Sequence, residues 1–398
     1  MKTPVYLDNQ STTAVDPVVL AEMLPFFGEA FGNAASHSHG FGWEAREAVE
    51  RARERVAAAI GARPEEIVFT SGATESDNTA LAGLVGGARE RGDHVVTAAT
   101  EHRAVLDPLA RLEREGVRVT RLGVDAQGLV DPADVERAIT SRTVLVTLMA
   151  ANNEVGTIHP LEDVGRIARR RGVPFHSDAA QALGKVPLDV EASCLDAASL
   201  SAHKLHGPKG VGALYLRRDP AVALEPLMLG GGHEGGRRPG TPNVPGIVGF
   251  GKAVEIACAG GDDEPRRLRA LRDRLLGALQ ARIDGVRLNG HATRRLPNNL
   301  NLSFDGIDGE ALLAALHDVV ALSAGSACMS ATREPSYVLG AMGLSEERVR
   351  GAVRFGLGRF NTADEVDFVA GEVARAVRRL RDLAPPGRAR VDRSPGCG

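Results

Sequence analysis

The sequence predicts an α/β protein: a large, mainly parallel sheet covered by helices, followed by a smaller α+β region. Three observations carry that expectation. From about residue 66 to 216, short β-branched runs alternate with longer helical stretches, the pattern of a parallel sheet with helices packed on it. A Gly-rich stretch, "LGGGHEGGRRPGT" at 229–241, then breaks the alternation. After residue 285 the pattern turns to α+β, and the main boundary falls near residue 260. At 398 residues, 43% of them hydrophobic and 4% aromatic, the chain is long enough to bury one large core and a smaller one.

Taken in order, the strand candidates are "EIVFT" (66–70), "DHVVTAA" (93–99), "TVLVTLM" (143–149), "VPFHSD" (173–178), "DAASLSA" (196–202) and "GALYLR" (212–217). Helices are expected between them at 74–90, 103–115, 131–140 and 162–171. Beyond the Gly-rich stretch come a helix around 245–258 and a charged one around 263–282. "NNLNLSF" (298–304) reads as a strand, 308–318 as a helix, and 362–383 as a long helix opened by the capping-box pair Thr362 and Glu365.

The bulk numbers exclude several classes of function. Forty-eight basic and 51 acidic side chains leave a formal net charge of -3, which offers no field to gather nucleic acid or an anionic membrane. Partners are therefore expected to be small molecules or proteins. The four cysteines, Cys194, Cys258, Cys328 and Cys397, lie far apart without a C-x-x-C pair, so neither a disulfide framework nor a cysteine-only zinc site is indicated. A reducing, cytoplasmic setting fits. "MKTPVYLDNQ" at the start lacks a signal-peptide pattern, and no uncharged apolar run approaches the roughly 20 residues of a membrane helix.

In open α/β sheets ligands bind outside the carboxyl ends of the strands, and five successive runs here end in reactive or polar residues. "SGATES" follows the first, a small-residue turn whose free N–H groups and hydroxyls would hold a phosphate at Gly72, Ala73 and Thr74. Glu101 and His102 follow the second, Asn152, Asn153 and Glu154 the third, Asp178 and Gln181 the fourth, and Ser201, His203 and Lys204 the fifth. Each has a plain structural reading when taken alone: a turn with an N-cap, a loop histidine, a capping aspartate, a solvated lysine. Their convergence on one sheet edge is what points to chemistry. A phosphate cradle, an imidazole, an amide, a carboxylate and an amine make up what a pyridoxal phosphate site requires, whereas no strand is followed by the G-x-G-x-x-G of dinucleotide binding.

Eight motifs in order then resemble the cysteine desulfurases: "YLDNQSTTAVDP", "FTSGATESDNTAL", "ATEHRAVL", "ANNEVGTIHPL", "FHSDAAQALGKVPLDV", "SLSAHKLHGPKGVGALY", "GGGHEGGRRPGTPNVPGIVGF" and "SAGSACMSATREPSYVLGAMG". The resemblance runs from about residue 4 to 385 and is to the subgroup with the longer cysteine loop, which serves iron–sulfur cluster assembly and thiolation pathways. It implies the aspartate-aminotransferase fold (pyridoxal phosphate fold type I), with a mainly parallel seven-stranded sheet in a large domain at 15–260. Residues 1–14 and 261–385 would form the small α+β C-terminal domain with a mobile cysteine loop at about 322–335, and 386–398 a flexible tail.

The same resemblance implies roles. Lys204 would be the Schiff-base lysine, Asp178 the partner of the pyridine nitrogen and Gln181 the contact to the ring hydroxyl. His102 would stack on the ring and help move protons. Thr74, Ser201 and His203 would bind the phosphate beside Ala73, and Thr241 would reach it from the other subunit of a homodimer. Asn153 and Arg354 would grip the carboxylate of substrate L-cysteine, for which the planar fork of arginine is suited. Cys328, in the small-residue run "LSAGSACMSA", would take the sulfur as a persulfide and deliver it to an iron–sulfur scaffold or other acceptor protein. No resident metal is expected, with transient iron–sulfur ligation by Cys328 left open.

Some features depart from the pattern. Ala34 stands where a proline is usual, and His37 and His39 lack the neighbours of a metal site. The tail "PPGRARVDRSPGCG" is shorter than the one by which members of the subgroup contact their scaffold, which leaves the partner open, as it leaves any role of Cys397. Selenocysteine lyase, an ordinary aminotransferase and a non-catalytic sulfur-transfer scaffold stand as alternatives.

Overall fold

The computed structural model describes residues 2–218, 222–324 and 335–383. Its strands are β1 (Val5–Tyr6), β2 (Ile67–Thr70), β3 (His94–Ala98), β4 (Arg118–Leu122), β5 (Thr143–Thr147), β6 (Phe175–Asp178), β7 (Ala197–Ser201), β8 (Gly212–Leu216), β9 (Val286–Asn289), β10 (Asn299–Phe304), β11 (Val320–Ala321) and β12 (Ala352–Gly356). Its helices are α1 (Pro17–Met23), α2 (Gly40–Ala59), α3 (Ala73–Gly86), α4 (Arg103–Arg114), α5 (Pro132–Ala138), α6 (Leu161–Arg170), α7 (Val244–Ala259), α8 (Asp263–Gln280), α9 (Gly309–Leu316), α10 (Tyr337–Ala341), α11 (Glu346–Arg350) and α12 (Ala363–Leu383).

Seven strands form one sheet in the order β2-β8-β7-β6-β5-β3-β4. All run parallel except β8, which lies antiparallel between β2 and β7. Apart from the edge strand β4, every residue of these strands is buried, because helices cover both faces; that is why they read as unbroken apolar runs and not as alternating ones. One core packs Val56, Phe175 and Phe250 among α2, α6, α7 and the sheet, and the other packs Leu81, Leu84 and Leu109 of α3 and α4 against the opposite face. Parallel strands bring their carboxyl ends to one edge, and β8, running the other way, brings Gly212 to the same edge.

After α7 the chain builds a three-stranded antiparallel sheet, β12-β10-β9. Its core joins Leu300, Leu302, Val353 and Phe355 to α8, α9 and α12, and Val5 and Leu7 from the start of the chain enter the same cluster. β1 pairs parallel with β11. The long last helix opens as its capping box predicts: Thr362 N donates to Glu365 Oε2 at 3.1 Å, and Glu365 N donates to Thr362 Oγ1 at 3.2 Å. His39 is likewise a helix cap, its Nδ1 accepting from Gly42 N at 3.2 Å. Among the described residues no helix is long and apolar enough to cross a membrane, and no group of three or more His, Cys, Asp and Glu is placed to hold a metal. Cys328, residues 325–334 of the expected cysteine loop, Cys397 and the chain from 384 onward lie outside the described residues.

Candidate active site

At the carboxyl edge of the large sheet lies a cavity of about 470 Å³. Its walls come from the ends of β2, β5, β6 and β7, from the N-terminal segment at Gln10, Ser11 and Thr12, and from Arg354 on β12. Every run whose end the sequence singled out contributes: Ala73 and Thr74, His102, Asn153, Asp178 with Gln181, and Ser201, His203 and Lys204 all line it.

Lys204 sits in the short 3-10 turn Ala202–Lys204 that follows β7. Its Nζ donates to the backbone oxygens of Gln10 at 2.5 Å and Ser11 at 2.7 Å, and the residue lines the cavity. Next to it, His203 Nδ1 shares a hydrogen with Thr12 Oγ1 at 3.0 Å. Burial, then the nearby Lys204, Lys209 and Lys185, pushes His203 down to about 4, so the ring is a neutral hydrogen-bonding group at working pH. His102 ends the loop after β3 and caps α4, its Nδ1 accepting from Ala104 N at 3.1 Å, which fixes the ring at the cavity wall.

Acidic side chains crowd the deep end. Asp178, at the end of β6, accepts from Ala180 N at 2.9 Å. Asp77 on α3 and Glu101 stand behind it; burial pushes both well above the ordinary carboxyl range, and the charge of Asp178 adds to it. His176, 3.6 Å from Asp77, is driven down to about 3 by burial, so it brings no countercharge. Burial thus favours the protonated forms of Asp77 and Glu101, and Asp77 and Asp178 both line the cavity. Glu154, also on the wall, is pushed up to about 7 by burial, with a Ser336 hydrogen bond and Arg354 opposing.

Arg354 is 2% exposed and is the largest fully buried side chain of the structure. Its Nη2 donates to Ser11 Oγ at 2.7 Å, Ser323 Oγ at 2.8 Å and Asp8 Oδ1 at 3.0 Å, and its Nη1 to the Asn153 carbonyl at 2.8 Å. The fork is thereby clamped in one pose, while Arg354 Nε and Asn153 Oδ1 are buried with no hydrogen-bond partner among the described residues. A guanidinium so fixed is a ready carboxylate holder at the cavity wall.

The residues fit pyridoxal phosphate. α3 begins at Gly72 with no side chain capping its first N–H groups, although Ala73 and Thr74 of its first turn face the cavity. Gly72 has φ of +151°, open to glycine, and Gly212 of β8 approaches so closely that a Cβ there would lie 2.3 Å from the Leu200 oxygen and 2.7 Å from Gly72 Cα. Ser201 Oγ, also on the cavity wall, is buried with no hydrogen-bond partner among the described residues. An uncapped helix start and an orphaned hydroxyl converging on one bare turn are the donor set of a phosphate site, with Lys204 and Asp178 placed at the amine and carboxylate positions of the cavity.

One predicted site residue stands apart. Thr241 is exposed and does not line this cavity. The loop that carries it is tied to α3 instead, through Arg238 Nε donating to Glu75 Oε1 at 2.8 Å. Sequence reasoning also missed contributors. Gln10 and Ser11 hold Lys204 through backbone oxygens, which leave no trace in residue type, and Asp8 and the Ser11 hydroxyl have roles that only the Arg354 contact reveals. Tyr337, whose hydroxyl donates to the Glu101 carbonyl at 2.7 Å under the Arg103 guanidinium, was within "EPSYVL" but carried no assignment.

Comparison with known proteins identifies the family. The class-V aminotransferase family matches residues 5–369. A cysteine desulfurase IscS from Anaeromyxobacter sp. (strain Fw109-5) is 56% identical over 385 residues, which cover 97% of this chain and 95% of that protein. The solved structure of a NifS-like protein superposes with a TM-score of 0.88 at 40% identity, covering 94% of this chain and 99% of its own. That of SspA in complex with cysteine gives 0.80 at 36% identity, covering 90% and 100%. With a family match over most of its length and relatives at this identity, the chain belongs to the class-V aminotransferase family, in its cysteine desulfurase branch.

Proposed function

We propose that the protein converts L-cysteine to L-alanine and takes the released sulfur on its own thiol as a persulfide, for iron–sulfur cluster assembly. The observation that carries the reading is the convergence of Lys204, Asp178, His102, the uncapped start of α3 and the clamped Arg354 on one cavity. Bound there, pyridoxal phosphate supplies an electron sink that weakens the substrate's bond to sulfur. Lys204 is the amine that attaches the cofactor, Asp178 keeps the ring nitrogen protonated and Gln181 contacts the ring hydroxyl. His102 stacks on the ring and helps move the α-proton, a task open to a group anchored at its Nδ1 by a helix cap. Ala73, Thr74, Ser201 and His203 take the phosphate, the last as a neutral ring.

Asn153 and Arg354, both on the cavity wall, hold the substrate carboxylate. Cys328 as thiolate attacks that sulfur: the S–S bond forms, the C–S bond breaks, and its electron pair stays with carbon, which a proton completes as alanine. The protein then works as a homodimer in the cytoplasm, with Thr241 of each chain serving the other's phosphate and the Cys328 segment handing sulfur to an acceptor protein. Thr241's exposure away from its own cavity supports the composite site. The division into a large domain at 15–260 and a small one at 1–14 and 261–385 is supported by the core that gathers Val5 and Leu7 with residues from Leu268 onward.

Single-turnover incubation of the cofactor-loaded protein with L-cysteine tests the reading. Alanine should appear with one added sulfur mapped to Cys328, and the added sulfur should vanish in Cys328→Ser. Alanine absent, or sulfur found on Cys397 with Cys328 unmodified, would refute it.

A further inference from the structure

We propose that Lys185 is a positioning residue of the cofactor site, acting through Gln181 to fix which end of that amide faces the ring oxygen. The inference rests on the cofactor reading above but concerns a residue outside the cavity, which Gln181 lines and Lys185 does not.

Four residues separate the two, and the successive turns after β6, with Ala182 N bonded to Ala179 O at 3.0 Å and Lys185 N to Ala182 O at 2.9 Å, bring their side chains together. Lys185 Nζ donates to Gln181 Oε1 at 3.2 Å. Gln181 Nε2 donates to the Gln10 carbonyl at 3.0 Å, the same oxygen that accepts from Lys204. The two partners agree on the orientation of the amide: an ammonium has no acceptor capacity, and a carbonyl oxygen has no donor. Gln181 must therefore turn its oxygen to Lys185 and its NH₂ to Gln10, and the second N–H of that NH₂ is left for the cavity. To a bound cofactor's ring oxygen the amide would present a donor, which would favour the ionised form of that oxygen.

An amine is an expensive way to fill this position. Lys185 is 8% exposed and sits beside a second lysine, Lys204, at a narrow crevice shared with His206, Glu264 of α8 and Arg359; His203 is the remaining titratable neighbour. Burial, then Lys204, pushes Lys185 down to about 7, with Glu264 opposing. The ammonium can only donate; the neutral amine can donate or accept, and then the Gln10 carbonyl, which can only accept, keeps the NH₂ end of the amide in place. A methionine of similar length would fit the same space without desolvating a charge, which leaves the hydrogen bond to Gln181 as what the amine contributes.

The test is a double-variant cycle on the protein loaded with pyridoxal phosphate, reading the pH midpoint of the visible absorbance band. Lys185→Met should move the midpoint by about half to one unit, a three- to tenfold change in the ionisation equilibrium and the size of one hydrogen bond. In a Gln181→Ala background the same substitution should move it by less than about 0.2 unit, because there is no amide left to orient. No shift in the otherwise wild-type protein overturns the proposal, and so does an equal shift in both backgrounds, which would mark Lys185 as a charge acting on its own. Should Lys185→Met give no folded protein, the cycle is run with Lys185→Leu, which carries no donor, and the same two comparisons decide. A wild-type protein that gains no visible band would sink the cofactor reading itself, a result distinct from a normal band that ignores Lys185.

Discussion

Gly212→Ala isolates the contact on which the phosphate turn depends. Gly212 is paired on both sides, to Thr70 of β2 and to Ser201 of β7, so its backbone cannot slide to make room. A methyl group there would sit 2.3 Å from the Leu200 oxygen and 2.7 Å from Gly72 Cα, against the 3.5–4 Å at which carbon atoms rest. The Leu200 oxygen belongs to the sheet, so Gly72 is the part that must yield, by roughly 1 Å, and with it the first N–H groups of α3. Overpacking of this kind should lower apo stability by about 1–3 kcal/mol. Displaced donors should weaken cofactor binding by about 10- to 100-fold, the worth of one hydrogen bond to a charged group. Denaturant unfolding of the apo protein and a pyridoxal phosphate titration read the two effects separately. Gly371→Ala on α12, where a Cβ meets nothing within 4 Å, is the control that should leave the affinity alone. Wild-type stability and affinity in Gly212→Ala would refute the argument.

Three further outcomes are expected. Arg354→Lys should raise KM for L-cysteine by about 10- to 100-fold while cofactor absorbance stays as in the wild type, since it removes a fork and not a cofactor contact; an unchanged KM would remove Arg354 from substrate binding. Glu154 is a carboxyl raised to about 7 in the folded protein, so its protonated form stabilises the fold fully below the ordinary carboxyl range, and that contribution is lost as pH rises through about 7. Glu154→Gln should therefore gain on the wild type between pH 5 and pH 8, by on the order of 1–3 kcal/mol in denaturant unfolding, and an equal gap at both pH values would contradict the shift. Mixing Lys204→Ala chains with Thr241→Ala chains should yield more alanine than the two preparations measured apart, because one site in each mixed dimer is complete; simple additivity would argue against the composite site.

The large sheet was legible because its strands are buried on both faces, which makes runs such as "TVLVT" and "EIVFT" continuous and apolar. β4 was not, and its position explains why: it is an edge strand whose Arg118 and Arg121 are exposed and paired with Asp93 and Glu113, so "RVTRL" carries little apolar signal. The antiparallel direction of β8 was equally out of reach, since residue type does not encode which way a buried run points. In the site, side chains that follow strands were readable from the rule that ligands gather at strand ends. Lys185 and Asp8 escaped because residue type does not name their partners, Gln181 four residues back for Lys185, and Arg354 and Ser323 across the fold for Asp8.

Those contacts place the N-terminal segment at the centre of the site. Residues 8–13 span the large sheet and the three-stranded sheet: Asn9 N reaches the Gly356 oxygen at 3.1 Å, Gln10 Nε2 the Asn298 oxygen at 3.0 Å, and Thr13 N the His203 oxygen at 3.0 Å. The same few residues hold Lys204 through Gln10 and Ser11, Gln181 through Gln10, and Arg354 through Asp8 and Ser11. Lysine and guanidinium are thus registered against one short strand of backbone and not against each other. Arg354 lies on β12 and Lys204 follows β7 of the large sheet, so a shift of one sheet against the other would change the distance between them, and residues 8–13, bonded to both, oppose that shift.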